Sequence, residues 1–201
     1  MLVPITEADE SSCGSSAIKL MTISQQTGIT SLERHCIPVD EFVIQFWKDK
    51  SILRHICKAI DDRSNAVHDF IDQTFDIPSE LVAAVISKFQ EKDIRNVSFL
   101  PSINLAAQRT NTEIDSESVL NVDVSDKLAV SAAIRKIWAS AYNELVAYHR
   151  DDGARTLENC SKNIAVIVQE CNQRIQYSFT AYTRDPCHDD SVFIEIAPGH
   201  G

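Results

Sequence analysis

Three short apolar runs near the end of the chain set its pattern. They cover residues 164–168 (IAVIV), 177–183 (YSFTAYT) and 191–196 (SVFIEI), and polar turns separate them. β-Branched and aromatic residues dominate each run, and each is too short for a typical helix, so the pattern predicts three strands. Gln169 and Glu170 follow the first run, and Pro198-Gly199-His200-Gly201 follows the third. A plain antiparallel meander accounts for this pattern. Strands lining a nucleotide site account for it as well.

Earlier in the chain the spacing turns helical. Ala17, Ile18, Leu20, Met21 and Ile23 predict a helix over 14–26, with Ser11 and Ser12 as caps and Gly28 as a stop. Residues 1–12 are polar and read as a short strand or arm. Asp40 is a predicted N-cap for a helix carrying Phe42, Val43, Phe46, Trp47, Ile52, Leu53, Ile56 and Ile60 on its core face. Two more helices are predicted over 64–75 and 79–89, separated by Asp76-Ile77-Pro78, with a capped start at Ser79-Glu80. His55 and His68 fall on mostly polar faces, and nothing marks them as catalytic. A long helix is predicted over 127–150. Its broad apolar face is Leu128, Val130, Ala133, Ile134, Ile137, Trp138, Ala141, Leu145 and Tyr148. Trp138 and Tyr142 read as packing residues, and Asp151-Asp152-Gly153 ends the helix. No repeat or long Gly/Ser linker interrupts the 201 residues, a length that suits one domain or two small lobes.

Composition narrows the function classes. Apolar residues make up 44% and charged residues 24% of the chain, as in ordinary soluble domains. The net charge of −10 argues against a nucleic-acid or anionic-membrane surface, while leaving local phosphate binding open. No apolar run approaches the ~20 residues that span a bilayer. The first ten residues have neither a secretory nor a transit-peptide character, which gives a cytoplasmic expectation. Six cysteines (13, 36, 57, 160, 171 and 187) form no C-x-x-C pair, so zinc-ligand spacing is absent and reduced thiols are expected.

The order of motifs carries a resemblance. VIVQE, then an aromatic-rich strand followed by Thr and Pro, then an acidic strand ending in PG-x-G, resembles the ATP-binding domain of the pyruvate phosphate dikinase family. Within it, the plant-type glucan and phosphoglucan, water dikinases are most similar. Asn121-Val122, Ser125-Asp126 and Ile137-Trp138-Ala139-Ser140-Ala141-Tyr142 resemble that family's "NV…SD…VWASLY" helix. His35-Cys36-Ile37-Pro38-Val39 resembles its short strand ending in "VP". The match is good over 119–201 and diverged over 1–118.

The resemblance implies an α+β fold, an incomplete ATP-grasp-like domain with a helical N-terminal part followed by a mainly antiparallel sheet. It implies ATP and Mg²⁺ as ligands and phosphoryl transfer as the inherited chemistry, with an α-glucan as a candidate acceptor. Gln169 and Glu170 stand at the family's adenine hinge, Arg150 at its "YR" step, and Glu195 at a strand glutamate that binds Mg²⁺, an ion that prefers oxygen ligands. Gly14 opens the helix that begins with Gly-Gly-Lys or Gly-Ala-Lys in the family. A solvent-facing role for Glu195 and an ordinary helix start at Gly14-Ser15-Ser16 are the plain alternatives.

Two departures matter. The phosphate lysine falls on Ser15 or Ser16, and Lys19 lies about one turn further on. The phosphate-gripping "RSSA…ED" segment falls on Phe99, Leu100 and Pro101, with Leu105 and Ala106 near the acidic pair. Only Ser102 and Asn104 keep polar character, and Arg109 is ten residues downstream of the expected site. Phosphoryl transfer depends on positioning and charge neutralisation, so these losses imply low or no activity for this chain alone. His200 replaces the usual Leu of the turn and is not the family's phosphohistidine, which lies in another domain. The expected partners are a nucleotide and a second chain or further C-terminal part completing the site, with a plastid location allowed by the resemblance. A degenerate scaffold or interaction module without nucleotide binding is the competing expectation, and an unrelated α/β binding protein is a third.

Overall fold

The computed structural model describes residues 2–26, 32–48, 66–103, 117–148, 164–171, 176–182 and 192–199. They form two compact units, Met1–Cys171 and Asn172–Gly201. The fold is α+β, and every strand pair is antiparallel.

The first unit is built on a five-stranded sheet of β1 (Val3–Pro4), β2 (Arg34–Ile37), β3 (Asn96–Ile103), β4 (Val119–Asp123) and β5 (Ile164–Glu170), in spatial order β1-β2-β5-β3-β4. The expected separation of a helical N-terminal part from a later sheet is therefore corrected. Three of the five strands come from the first half of the chain, and β5 pairs with two of them, β2 and β3. Strand partners are chosen by long-range burial, which local periodicity does not encode.

The central position of β5 explains its unbroken apolar run. Strand side chains alternate between faces. Ile164, Val166 and Val168 enter the larger core, while Ala165 and Ile167 enter a smaller one on the opposite face. A strand covered on both sides has no polar face to show.

Four helices contribute to the larger core: α2 (Val39–Lys48), α3 (Ala66–Thr74), α4 (Ser79–Gln90) and α5 (Lys127–Tyr148). Phe42 stacks on Phe75 at 5.8 Å and meets Trp138 edge-on at 5.3 Å, with Tyr142 tilted against it at 5.8 Å. Trp138 and Tyr142 are packing residues, as the pattern implied. Leu128 is not: it is 82% exposed, because at 100° per residue it lies on the side of α5 opposite Val130 and Ile137, which are fully buried. The opposite face of the sheet is covered by α1 (Glu10–Ser24), a helix that buries only Cys13, Gly14 and Ala17.

Caps differ from expectation in three places. Asp9, not Ser11 or Ser12, caps α1, accepting from the Ser12 amide at 3.0 Å. α2 begins at Val39, so Asp40 sits inside its first turn. Pro78 occupies the N-cap of α4 without a side-chain hydrogen bond. A cap of the expected kind occurs on α5, where the Asp126 carboxylate accepts from the Leu128 and Ala129 amides at 2.9 and 3.0 Å.

The sheet edges are blunted. β1 is two residues long and ends in proline, and β4 carries a register shift opposite Val97 and Phe99. Asn121, at φ 59°, absorbs the extra residue.

The second unit holds β6 (Tyr177–Tyr182) and β7 (Phe193–Pro198), paired as a two-stranded ribbon. The three C-terminal strands thus exist near their expected places. They do not form one sheet, since β5 belongs to the first unit. The helix extension over 49–60, together with His55, Leu105, Ala106, Arg109, Arg150 and His200, lies outside the described residues.

Candidate functional site

Gly14 sits within α1 at φ 77° and ψ 168°, a conformation essentially confined to glycine. The helix therefore breaks after one turn and resumes at Ser15. A Cβ on Gly14 would lie 2.8 Å from Ser102 Oγ and 2.9 Å from both the carbonyl carbon and oxygen of Ser102. The break thus lets the α1 backbone rest directly on the end of β3.

Ser102 splices the two helical pieces together. In an unbroken helix the Ala17 amide would donate to the Cys13 carbonyl. Here the Ser102 hydroxyl stands between them, accepting from Ala17 N at 3.1 Å and donating to Cys13 O at 2.6 Å. A side chain inserted into the helical ladder is a recognised cause of a sharp kink. Ser15 Oγ adds a second tie, donating to the Ile103 carbonyl at 3.0 Å. Two segments expected to hold phosphate, the glycine turn and the end of β3, are in direct contact. Their polar groups serve each other.

Gln169 and Glu170 lie elsewhere. Gln169 pairs with Ser98 across the β5–β3 ladder, four residues from Ser102. At about 3.4 Å per residue, that places Gln169 ~14 Å along the sheet from the glycine turn, with Glu170 one residue further. Both side chains are engaged with the start of β2. Arg34 Nε donates to Gln169 Oε1 at 3.1 Å, and the Glu33 amide donates to Glu170 Oε2 at 3.4 Å. Arg34 also reaches Ser24 Oγ at 3.3 Å.

Glu195 belongs to the other unit, where it pairs with Thr180 on an exposed ribbon. Lys19 is exposed on α1. Arg150 lies outside the described residues. Among the described residues, no three His, Cys, Asp or Glu side chains gather to hold a metal ion. Nor is any described helix long and apolar enough to cross a membrane.

Sequence reasoning missed one constellation. Cys13, beside the break, and Cys36, on β2, meet in the smaller core, both fully buried. The Cys36 thiol donates to the Ile37 carbonyl oxygen at 3.5 Å and lies 3.8 Å from the Cys13 carbonyl oxygen, which sets the two cysteine side chains beside each other. The neighbouring Cys36 side chain, aided by the Ser12 hydroxyl 3.5 Å away, outweighs burial and lowers the Cys13 thiol to about 6. The same contact and burial push Cys36 up. A gap of 23 residues left no motif for sequence reading to find.

No protein-family model matches the chain. The residues themselves define a mixed α+β protein with a buried polar junction at the Gly14–Ser102 splice.

Proposed function

We propose that this chain is a diverged nucleotide-binding domain of the pyruvate phosphate dikinase type, an incomplete ATP-grasp-like unit. Its role is to bind ATP with Mg²⁺, and phosphoryl transfer by the chain alone is low or nil. One observation carries the reading: the glycine-opened helix start lies against the end of β3, as a phosphate-facing pair of segments requires. The helix start supplies partial positive charge to an anion there. Ser16, in the first turn after the break, is the residue to probe.

The second reading is a scaffold without nucleotide binding. It is favoured by the engagement of Gln169, Glu170 and Ser102 with neighbouring protein groups.

Calorimetric titration of Mg·ATP into the full chain separates the two. Micromolar binding is expected, lost in Ser16→Glu. Ser16→Glu is informative because an acid in a first helical turn favours the helix while repelling phosphate. Its melting temperature should hold or rise as binding disappears. No heat at millimolar ATP sinks the nucleotide reading and leaves the scaffold.

A further inference from the structure

We propose that Cys13 and Cys36 form a redox-active dithiol, a built-in modification site that hydrogen peroxide closes to a disulfide. The proposal is independent of nucleotide binding.

The geometry supplies both halves of such a site. The two cysteines come from different elements, one on α1 and one on β2, and are neighbours: Cys36 Sγ lies 3.8 Å from the Cys13 carbonyl oxygen. They are fully buried among Ile5, Ala8, Ala17, Ala165 and Ile167, so an oxidant as small as peroxide suits the site. The first turn of α1 lies between the exposed Asp9 cap and the Gly14 break, and across that break Ser102 replaces the ladder hydrogen bond. The Ser12 hydroxyl, 3.5 Å from the Cys13 sulfur, favours thiolate there, whereas Cys36 uses its S–H toward the Ile37 and Cys13 carbonyl oxygens and is buried, so it stays a thiol. The thiolate is the nucleophile, so Cys13 attacks and Cys36 resolves.

The chemistry balances in two steps. The Cys13 thiolate attacks one peroxide oxygen, the O–O bond breaks, and hydroxide leaves, forming a sulfenic acid on Cys13. The Cys36 sulfur then attacks the Cys13 sulfur. The S–O bond breaks, and the departing hydroxide takes the Cys36 proton as water. Two cysteine sulfurs are oxidised, each losing one electron overall, and one peroxide is reduced. Neighbouring thiols have only to close to the ~2.05 Å of an S–S bond.

The test uses the full native chain, fully reduced, desalted, exposed to peroxide, then denatured and alkylated for peptide mapping. A Cys13–Cys36 cross-linked peptide that dithiothreitol removes is expected. Its rate of formation should rise with pH through a midpoint near 6, the range of Cys13. In Cys36→Ser, dimedone should trap a sulfenic acid on Cys13. In Cys13→Ser, Cys36 should remain reduced at the same peroxide dose. Recovery of both residues as free thiols in the wild-type chain overturns the proposal, as does a cross-link from Cys13 to any other cysteine. The wild-type map decides even if a variant fails to fold. A midpoint in the ordinary thiol range of about 8–9 overturns the assignment of Cys13 as the attacking group.

Discussion

Replacing Gly14 with alanine tests whether the α1 break is a requirement of the fold. Two costs add. Holding a non-glycine residue at φ 77°, ψ 168° costs about 1–3 kcal/mol, because that region is essentially reserved for glycine. The new methyl group then meets Ser102 Oγ at 2.8 Å and the Ser102 carbonyl carbon and oxygen at 2.9 Å. Two of those three atoms are backbone in β3, held there by the pairing of Ser102 with Ala165 of the central strand β5, so they cannot swing away. Overpacking of this kind costs about 1–3 kcal/mol. The sum, ~2–6 kcal/mol, is a large part of the ~5–15 kcal/mol that holds a domain folded. Urea denaturation followed by tryptophan fluorescence reads the loss in the right place, since both tryptophans, Trp47 and Trp138, belong to the first unit. The Gly14→Ala/Ser102→Ala double variant should not recover stability, because removing Oγ leaves the two backbone contacts. A loss under about 0.5 kcal/mol, the range of ordinary surface substitutions, would refute the reasoning. Rescue by Ser102→Ala would show that the collision is with the hydroxyl alone.

Two further substitutions probe the same architecture. Ser102→Ala removes both splice hydrogen bonds and leaves Ala17 N and Cys13 O without that partner in a buried place. A loss of about 1–3 kcal/mol is expected by urea denaturation, and an unchanged midpoint would show that the helix closes its own ladder across the break. Asp126→Ala removes the cap of α5 and should cost about 1 kcal/mol, whereas Asp126→Asn should cost only a few tenths. Equal losses in the two variants would mean that the carboxylate acts through charge and not as a cap.

Much of the fold was legible because it is written locally. The long helix predicted over 127–150 is observed at Lys127–Tyr148, and that predicted over 79–89 at Ser79–Gln90. The strands near 164–168, 177–183 and 191–196 also stand close to their predicted bounds. Periodicity reports such elements directly. What it missed is nonlocal. The helix was expected over 14–26 from the spacing of Ala17, Ile18, Leu20, Met21 and Ile23, yet Asp9 caps its start and Gly14 only breaks it. The reason for the break, Ser102, is 88 residues away in sequence (102 − 14). The Cys13–Cys36 contact is invisible for the same reason. Leu128 was counted in the apolar face of the long helix yet faces outward, since two residues before the buried Val130 is the opposite side of a helix.

This bears on how the nucleotide proposal should be tested. A glycine where phosphate is expected invites the inference that the backbone must approach a ligand. At Gly14 that need is already met within the protein, because the space a Cβ would take is occupied by Ser102. The glycine is therefore required whether or not ATP binds. Loss of binding in Gly14→Ala would report a disturbed fold and could not favour either reading. Ser16 avoids the ambiguity. It follows the break and lies in the turn whose amides would face phosphate, and an acidic residue there opposes the ligand while supporting the helix. Only a substitution that moves stability and binding in opposite directions separates an inherited phosphate site from an inherited helix kink.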